Sequence, residues 1–531
     1  DYMAIWLDDH RDDFLRLSLE REAPPDPVVC AQCQGSTIDK ELFRCSSCFG
    51  RPVYCADCMR SKHDRDPFHR IERWSGKYFE DAWLKDVGLV LHLGHQGHAC
   101  PKGKVEEPVE TKEDHSDKEE EPDDIQTGRF RQSKPSGSKA RMSCIVDVTG
   151  VHELPVMYCQ CIPAVPHAHQ AVALDLWPAS FKRIKTLFTF RLLSDFRMDN
   201  LETKATAWSY FQKLRRVTNP AFPDGVPNRY PELRRVARQW RNILYRKWFG
   251  FGHEPRTPKQ GEMALFCPAC PQPGVNLPER WEEDKGNIIY IRQFAMDGNF
   301  SASHFKQVRN NDVSLTNGEC YMTEEKTYKE YLAEYEGPEA IELECHNHRA
   351  VLDKNKAKTG KDITGIGATA CAQHGCFCPS SVVDFEKGER YSYMDWSLSE
   401  ALQTTHVASL TCGINNYDVN CAYCKHLRAR FASNERLYWP DNFQVQPAIG
   451  LLHVHGHKEE CMGRYAGSYI IGNGRTDGEI VESLWASLND TSRSTQSASL
   501  PYRRETLDDS MGDSNWKKWL GIGEFSYTTE I

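Results

Sequence analysis

The sequence has no apolar run approaching the roughly 18 residues that a membrane-crossing helix needs, and its first residues, DYMAIWLDDHRDD, are too acidic for a signal peptide. Both absences predict a soluble intracellular protein. A dominant charge is missing as well, since 66 Lys and Arg stand against 75 Asp and Glu for a net charge of -9. No general affinity for polyanions is expected, and any such surface has to be local. What the chain holds in unusual number is cysteine, 21 in 531 residues. With no signal peptide, and with Cys-x-x-Cys pairs close to histidines, these thiols point to metal ligands, zinc first, ahead of disulfides. The remaining composition, 40% hydrophobic and 27% charged, is globular and leaves room for two to four domains. An Asp at position 1 predicts a fragment or a partial gene product.

After a tail of residues 1–25, a segment from 26 to 100 carries four ligand pairs in order: Cys30 with Cys33, Cys45 with Cys48, Cys55 with Cys58, and His63 with His69. Each Cys-x-x-Cys can set two thiolates on one tetrahedral zinc at ~2.3 Å, so eight ligands close two structural sites. Interleaved pairing, first with third and second with fourth, is expected because cross-bracing holds a short segment together without a large core. The spacing resembles ZZ, B-box and RING-type fingers, which implies a module that binds protein or ubiquitin machinery. The stretch that follows has aromatic strand character and ends on Cys100, whose partner the sequence does not name. Residues 101–142 are acidic, then basic and rich in Ser, Gly and Pro, with almost no apolar residues. Such a segment cannot bury enough surface to offset ordering and is predicted to be a disordered linker. Its basic half, Arg129 to Arg141, could touch phosphates or serve nuclear import.

Residues 143–285 read as a helical cysteine-cluster region that opens on a strand-like stretch, CIVDVTGVHELPVMYCQC. Cys159 and Cys161 open it, Cys267 and Cys270 close it, and the two pairs could share a zinc ion or stay free thiols. In YPELRRVARQWRNILYRKWFG, Leu233, Val236, Trp240 and Leu244 recur at helical spacing, with Arg234, Arg235, Arg238 and Arg241 between them. A basic helix with interleaved aromatics suits contact with a phosphate backbone. A solvated charged face over an apolar stripe gives the same pattern.

The stretch GNIIYIRQFAMDGNF reads as a buried strand, Ile288 to Met296, that stops on Asp297 and a Gly-Asn turn. A carboxylate at the carboxyl end of a central strand can hold a metal ion, and an Asp opening an ordinary turn leaves the same string. Two further acidic motifs follow: NNYDVNCAYC presents Asp418, and GRTDGEIVESLWASLN reads as a helix. Thr476 to Glu479 fits a capping box, so Glu479 is expected to cap. Glu482, one turn on, has no such local role. Two strand-end aspartates and a glutamate, Glu482 ahead of Glu479, can hold two Mg²⁺ or Mn²⁺ ions ~3.5 to 4 Å apart. One ion activates water or a 3′-hydroxyl and the other stabilises the leaving oxygen of a phosphodiester. This predicts DDE chemistry on an α/β, RNase H-like core spanning 286–500. Between Asp418 and Glu482 lies an insert with His453, His455, His457 and Cys461. It could complete a zinc site with Cys421 and Cys424, or bring His455 or His457 to the scissile phosphate, or hold histidines with no ligand. Cys371, His374, Cys376 and Cys378 form another cluster that could join it.

The strings AMDGNFSASHFK, TGIGATACAQHGCFCPSSVVDFEKGERYSYMDWSL, YDVNCAYC, AIGLLHVHGHKEEC and GRTDGEIVESLWASLN closely resemble the Kyakuja-Dileera-Zisupton (KDZ) transposases. VHELPVMYCQC, LFTFRLLSDF and ALFCPACPQPGVNLPERW are similar to the CxC-type cysteine cluster that accompanies them. The resemblance covers residues 26 to 515, linker excepted. It implies a DDE transposase that cuts and joins DNA, taking transposon ends and target as partners, in the nucleus. Asp297 and Asp418 match the two aspartates, and the turn from Glu479 to Glu482 supplies the glutamate. Where family members tend to read Ala-Arg-His-Gly, this chain has Ala372, Gln373, His374 and Gly375, and Asn420 and Ala422 replace the usual Ala and Gln. The missing Arg implies a lost phosphate contact, not a lost metal ligand. Relatives tend to continue into a long helical tail, so 501–531 is expected to be a truncated tail. The alternative function is a decayed or domesticated transposase whose zinc modules bind DNA, chromatin or protein, with homo-oligomers allowed. A ubiquitin-type ligase built on the amino-terminal finger is a third reading.

Overall fold

The computed structural model describes the chain apart from residues 25, 27, 36–39, 102–139, 164, 285–287, 308–311, 336–359 and 529–531. Nearly all of the expected linker lies outside the described residues. The chain divides into two compact units, Asp1–Ala237 and Arg238–Ile531. No helix among the described residues is long and apolar enough to cross a membrane.

The first unit holds two sheets. One joins β1 (Leu42–Cys45), β2 (Val53–Cys55), β3 (Ile71–Trp74) and β4 (Phe79–Ala82) in the order β2-β1-β3-β4. The other orders β5 (Leu91–Leu93), β6 (Arg141–Asp147), β7 (Gly150–Tyr158), β8 (Leu176–Pro178) and β9 (Thr186–Thr189) as β5-β7-β6-β9-β8. Strands β6 and β7 fall in the strand-like opening of residues 143–285, and the helices Phe190–Glu202 and Ala207–Thr218 follow the sheet. Strand β5 comes from the end of the expected finger yet pairs in parallel with β7, and Phe43, Ile71 and Leu93 share a core with Ile145, Leu154 and Leu187. A segment as short as 26–100 cannot bury its own apolar face, so it borrows one from the strands beyond the linker.

In the second unit a five-stranded sheet runs β14-β13-β10-β15-β16. Its members are β10 (Arg292–Asn299), β13 (Gly365–Cys371), β14 (Val383–Phe385), β15 (Cys412–Tyr417) and β16 (Gln444–Ala448), and a small pair, β11 (His304–Phe305) with β12 (Lys361–Ile363), lies apart. Strands β10, β15 and β16 are mutually parallel, while β13 runs antiparallel to β10 and β14 antiparallel to β13. Period-two alternation splits β10 between two cores: Phe294 and Met296 pack with Trp396, Leu398 and Tyr417, and Ala295 packs with Ala368, Val481, Leu484 and Trp485. The helix Tyr391–Thr404 covers the first face and is buried along twelve of its fourteen residues.

Three expectations change here. Ile288–Tyr290 form a short 3₁₀ turn, with Ile288 and Ile289 exposed, and the strand begins at Arg292. It does not stop at Asp297, because Gly298 and Asn299 continue the ladder against Gly367 and Ile366. Gly298 is needed for proximity: a Cβ there would lie 2.8 Å from Glu389 Oε2 and 2.9 Å from the Phe385 ring. Finally, the stretch expected to be a truncated tail includes the helix Leu500–Thr528, which buries Leu507 and Met511 in the second core. Its Asp508 accepts bonds from the Tyr321 and Met322 amides at 2.9 and 2.8 Å.

Glu400, on the Tyr391–Thr404 helix, is 4% exposed and accepts from Gln260 Nε2. Burial lifts its pKa to about 7. A raised carboxylate pKa costs nothing below its unfolded value near 4.5 and destabilises the fold progressively as pH rises to 7. Glu400→Gln is therefore expected to be more stable than wild type at pH 8, by up to about 3 kcal/mol. The difference should vanish near pH 4 in paired urea titrations. An equal gap at both pH values would mean that ionisation of Glu400 is not its source.

Candidate active site and metal centres

Met296 of β10 stands opposite Tyr417 of β15 in the parallel ladder, so Asp297, within β10, comes next to Asp418, the first residue past the end of β15. Neighbours in register point to the same face, and here that face is the one covered by the helix Ile480–Thr495. The helix turns Val481, Leu484, Trp485 and Leu488 inward, and Trp485 Nε1 donates to Asp297 Oδ2 at 2.8 Å. Burial, the charge of Asp418 and that of Glu482 raise Asp297 to about 7, against bonds from Gly298 and Trp485 that favour its charged form. Glu482 is 54% exposed and 3.7 Å from His453 Nε2.

Glu479 does not cap through its side chain. It is the residue at the N-cap itself, makes no capping bond, and Thr476 donates to Gln293 instead. Its carboxylate reaches back to the short helix Leu451–Val454, accepting from Leu452 N at 3.1 Å and pairing with His453 Nδ1 at 3.0 Å. Burial opposes the charge on Glu479, yet His453 and the Leu452 and His453 amides outweigh it and hold its pKa below the usual carboxylate range. The Glu479 bond, against burial, takes His453 up to about 9. Gly450 makes this approach possible, since a Cβ there would sit 2.1 Å from Glu479 Oε1. The histidine drawn to the carboxylates is thus His453, not His455 or His457. Spacing along the sequence offered no way to choose among the three.

The cysteines and histidines gather in several clusters. Cys30, Cys33, Cys55 and Cys58 gather in one cluster and Cys45, Cys48, His63 and His69 in another, the first pair with the third and the second with the fourth. His63 Nδ1 donates to the Met59 carbonyl at 2.8 Å, which turns Nε2 toward Cys48 Sγ at 3.4 Å and leaves it unprotonated for a metal. Cys159 and Cys161 fall in a different cluster from Cys267 and Cys270. They join His95 and Cys100, with Cys159 Sγ 3.1 Å from His95 Nε2 and Cys100 Sγ 3.7 Å from both thiols. The cause is the parallel pairing of Leu93 with Tyr158, which carries the residues just beyond both strands to one end of the sheet. Cys267 and Cys270 lie in the second unit with Cys371 and His374. In the insert, Cys421, His457 and Cys461 come together, whereas His455 is exposed and Cys424 Sγ lies 3.9 Å from the Tyr465 hydroxyl.

The basic helix Tyr230–Trp248 is not a row of free cations. Arg238 pairs with Glu505 and Asp312, both at 2.7 Å, and Arg241 is buried beside Asp509 and Thr506. Arg235 donates to the Ala179 carbonyl at 2.8 Å, and Arg234 is exposed. Three acidic partners from elsewhere in the chain could not be read from the periodicity of the helix.

Taken together, the sheet and its site define an α/β protein with an acidic centre at the ends of parallel strands and cysteine–histidine clusters able to hold metal ions. Residues 290–515 match the family described as Kyakuja-Dileera-Zisupton transposase, and residues 125–221 match the CxC2 like cysteine cluster associated with KDZ transposases. Over these stretches the chain belongs to the KDZ transposase family. No curated protein and no solved structure matches it.

Proposed function

We propose that this chain is a DNA transposase that cleaves and joins strands by metal-dependent phosphoryl transfer at Asp297, Asp418 and Glu482, on an RNase H-like core. The observation that carries the reading is the placement of Asp297 and Asp418 on one face of neighbouring parallel strands, with the Glu482 helix across them. The sheet order supports it, with two antiparallel steps on one side of β10 and two parallel steps on the other. The donor set fits a divalent cation of the Mg²⁺ or Mn²⁺ type: hard carboxylate oxygens, one of them raised to about 7 by burial and by its acidic neighbours. Cations held by Asp297, Asp418 and Glu482 would activate the attacking hydroxyl and stabilise the leaving oxygen.

The chain's own residues prepare that centre. Strand β10 carries Asp297 and the end of β15 leads directly into Asp418, and the Trp485 bond orients the Asp297 carboxylate. His453 occupies Glu479, which leaves Glu482, the more exposed of the two, as the glutamate open to the centre. DNA, as transposon ends and target, is the partner this chemistry requires, and a nuclear location follows from it. The amino-terminal clusters, holding zinc, suit a protein- or chromatin-binding module.

The test is Mg²⁺- or Mn²⁺-dependent nicking of DNA that carries the element's own ends, by wild type and by Asp418→Ala. Nicking by wild type alone is expected. A folded, zinc-loaded wild type that does not nick would point instead to a decayed or domesticated binding protein.

A further inference from the structure

One cysteine–histidine cluster in the catalytic unit takes no part in the chemistry above. Cys267 and Cys270 lie on the loop before β10, Cys371 ends β13, and His374 sits in the turn after it; their four ligand atoms fall within 4.8 Å of one another. His374 Nδ1 is 3.3 Å from Cys267 Sγ and 3.4 Å from Cys371 Sγ, and Cys270 Sγ is 3.1 Å from Cys371 Sγ. The three cysteines are at most 1% exposed. A disulfide requires ~2.05 Å between sulfurs, so none joins Cys270 to Cys371. Zinc with bonds of ~2.3 Å to sulfur and ~2.0 to 2.1 Å to nitrogen sets the edges of its tetrahedron at roughly 3.5 to 3.8 Å. The observed separations are close to these edges, and small side-chain shifts would reach them.

Both ligand loops are shaped around the sulfurs. The His374 amide donates to Cys371 Sγ at 3.3 Å. Gln272 Nε2 donates to the Cys267 carbonyl at 3.0 Å, and Asn276 Nδ2 to the Cys270 carbonyl at 2.8 Å. Neither Cys267 nor Cys270 falls within the family matches, which cover 125–221 and 290–515.

We propose that Cys267, Cys270, Cys371 and His374 bind one structural zinc ion that clamps the loop before β10 onto the catalytic sheet. The clamp acts close to the acidic centre. Cys371 pairs in register with Phe294, three residues before Asp297. Arg292, fully buried at the start of β10, donates to the Pro271 carbonyl inside the clamped loop and to the Thr405 carbonyl at 2.9 Å. Cys376, buried beside Cys267, is the competing thiol.

The experiment measures zinc per chain in the purified full chain and in Cys371→Ser, Cys376→Ser and His374→Cys, then repeats the spectra with cobalt in place of zinc. Cys371→Ser is expected to hold one zinc fewer than wild type, and Cys376→Ser the same number. His374→Cys should keep its zinc, because a fourth thiolate suits the ion, while its cobalt bands shift as nitrogen gives way to sulfur. An unchanged count in Cys371→Ser, or a loss in Cys376→Ser instead, overturns this ligand set. Should Cys371→Ser fail to fold, His374→Cys decides alone: cobalt bands identical to wild type would exclude His374 and the proposal with it.

Discussion

Asp297→Asn is expected to lower metal-dependent strand cleavage by on the order of 10³-fold or more, equivalent to at least about 4 kcal/mol of transition-state stabilisation. The fold should not suffer. Asparagine keeps an oxygen to accept the Trp485 bond, and it removes one negative charge from a group in which Asp418 and Glu482 oppose the ionisation of Asp297. In metal-free buffer the variant should melt at or above the wild-type temperature, as expected where function holds like charges together. Cleavage and thermal unfolding measured on the same preparations check both halves. Cleavage within tenfold of wild type would remove Asp297 from the metal site, and a large drop in melting temperature would reduce it to a structural residue.

The second large effect concerns the amino-terminal clusters. Stripping metal from Cys30, Cys33, Cys55 and Cys58 and from Cys45, Cys48, His63 and His69 removes the cross-brace from a sheet whose strands are three or four residues long. Structural zinc contributes on the order of 10 kcal/mol in modules of this size. A strong chelator should therefore open residues 42–82 to protease, and added zinc should restore protection. Cys45→Ser should do the same without chelator, while Cys412→Ser, an exposed cysteine outside every cluster described above, should not. Equal protection with and without metal would mean that the shared core of Phe43, Ile71, Leu154 and Leu187 suffices to hold the module. That outcome is the informative alternative, because the core reaches well beyond the finger.

Much of the site was legible where chemistry depends on local spacing. A Cys-x-x-Cys presents two thiols to one ion whatever surrounds it, and the apolar positions Val481, Leu484, Trp485 and Leu488 define the inner face of their helix by period alone. Local rules misled where long-range contacts outcompeted them. Thr476 and Glu479 have the spacing of a capping box, but a bond to Gln293 and an ion pair with His453 draw both side chains away. Gly298 looked like a turn residue and is a strand residue whose missing side chain makes room for Glu389 and Phe385. The helix Tyr230–Trp248 read either as a phosphate-binding face or as a solvated charged face, but Arg238 is neutralised by residues 267 and 74 positions away.

What the sequence by itself determined is the inventory: which side chains can ligate, in which local pairs, and which stretches present acidic residues. Only the tertiary structure decided which of them share a site. The parallel register of Met296 with Tyr417 sets Asp297 beside Asp418, the pairing of β5 with β7 hands Cys159 and Cys161 to His95 and Cys100, and the end of β13 gives Cys371 to Cys267 and Cys270. The physical reason is that ligand spacing is a property of three or four consecutive residues, whereas partnership across long loops is set by strand register. A slip of one residue there turns every side chain to the opposite face.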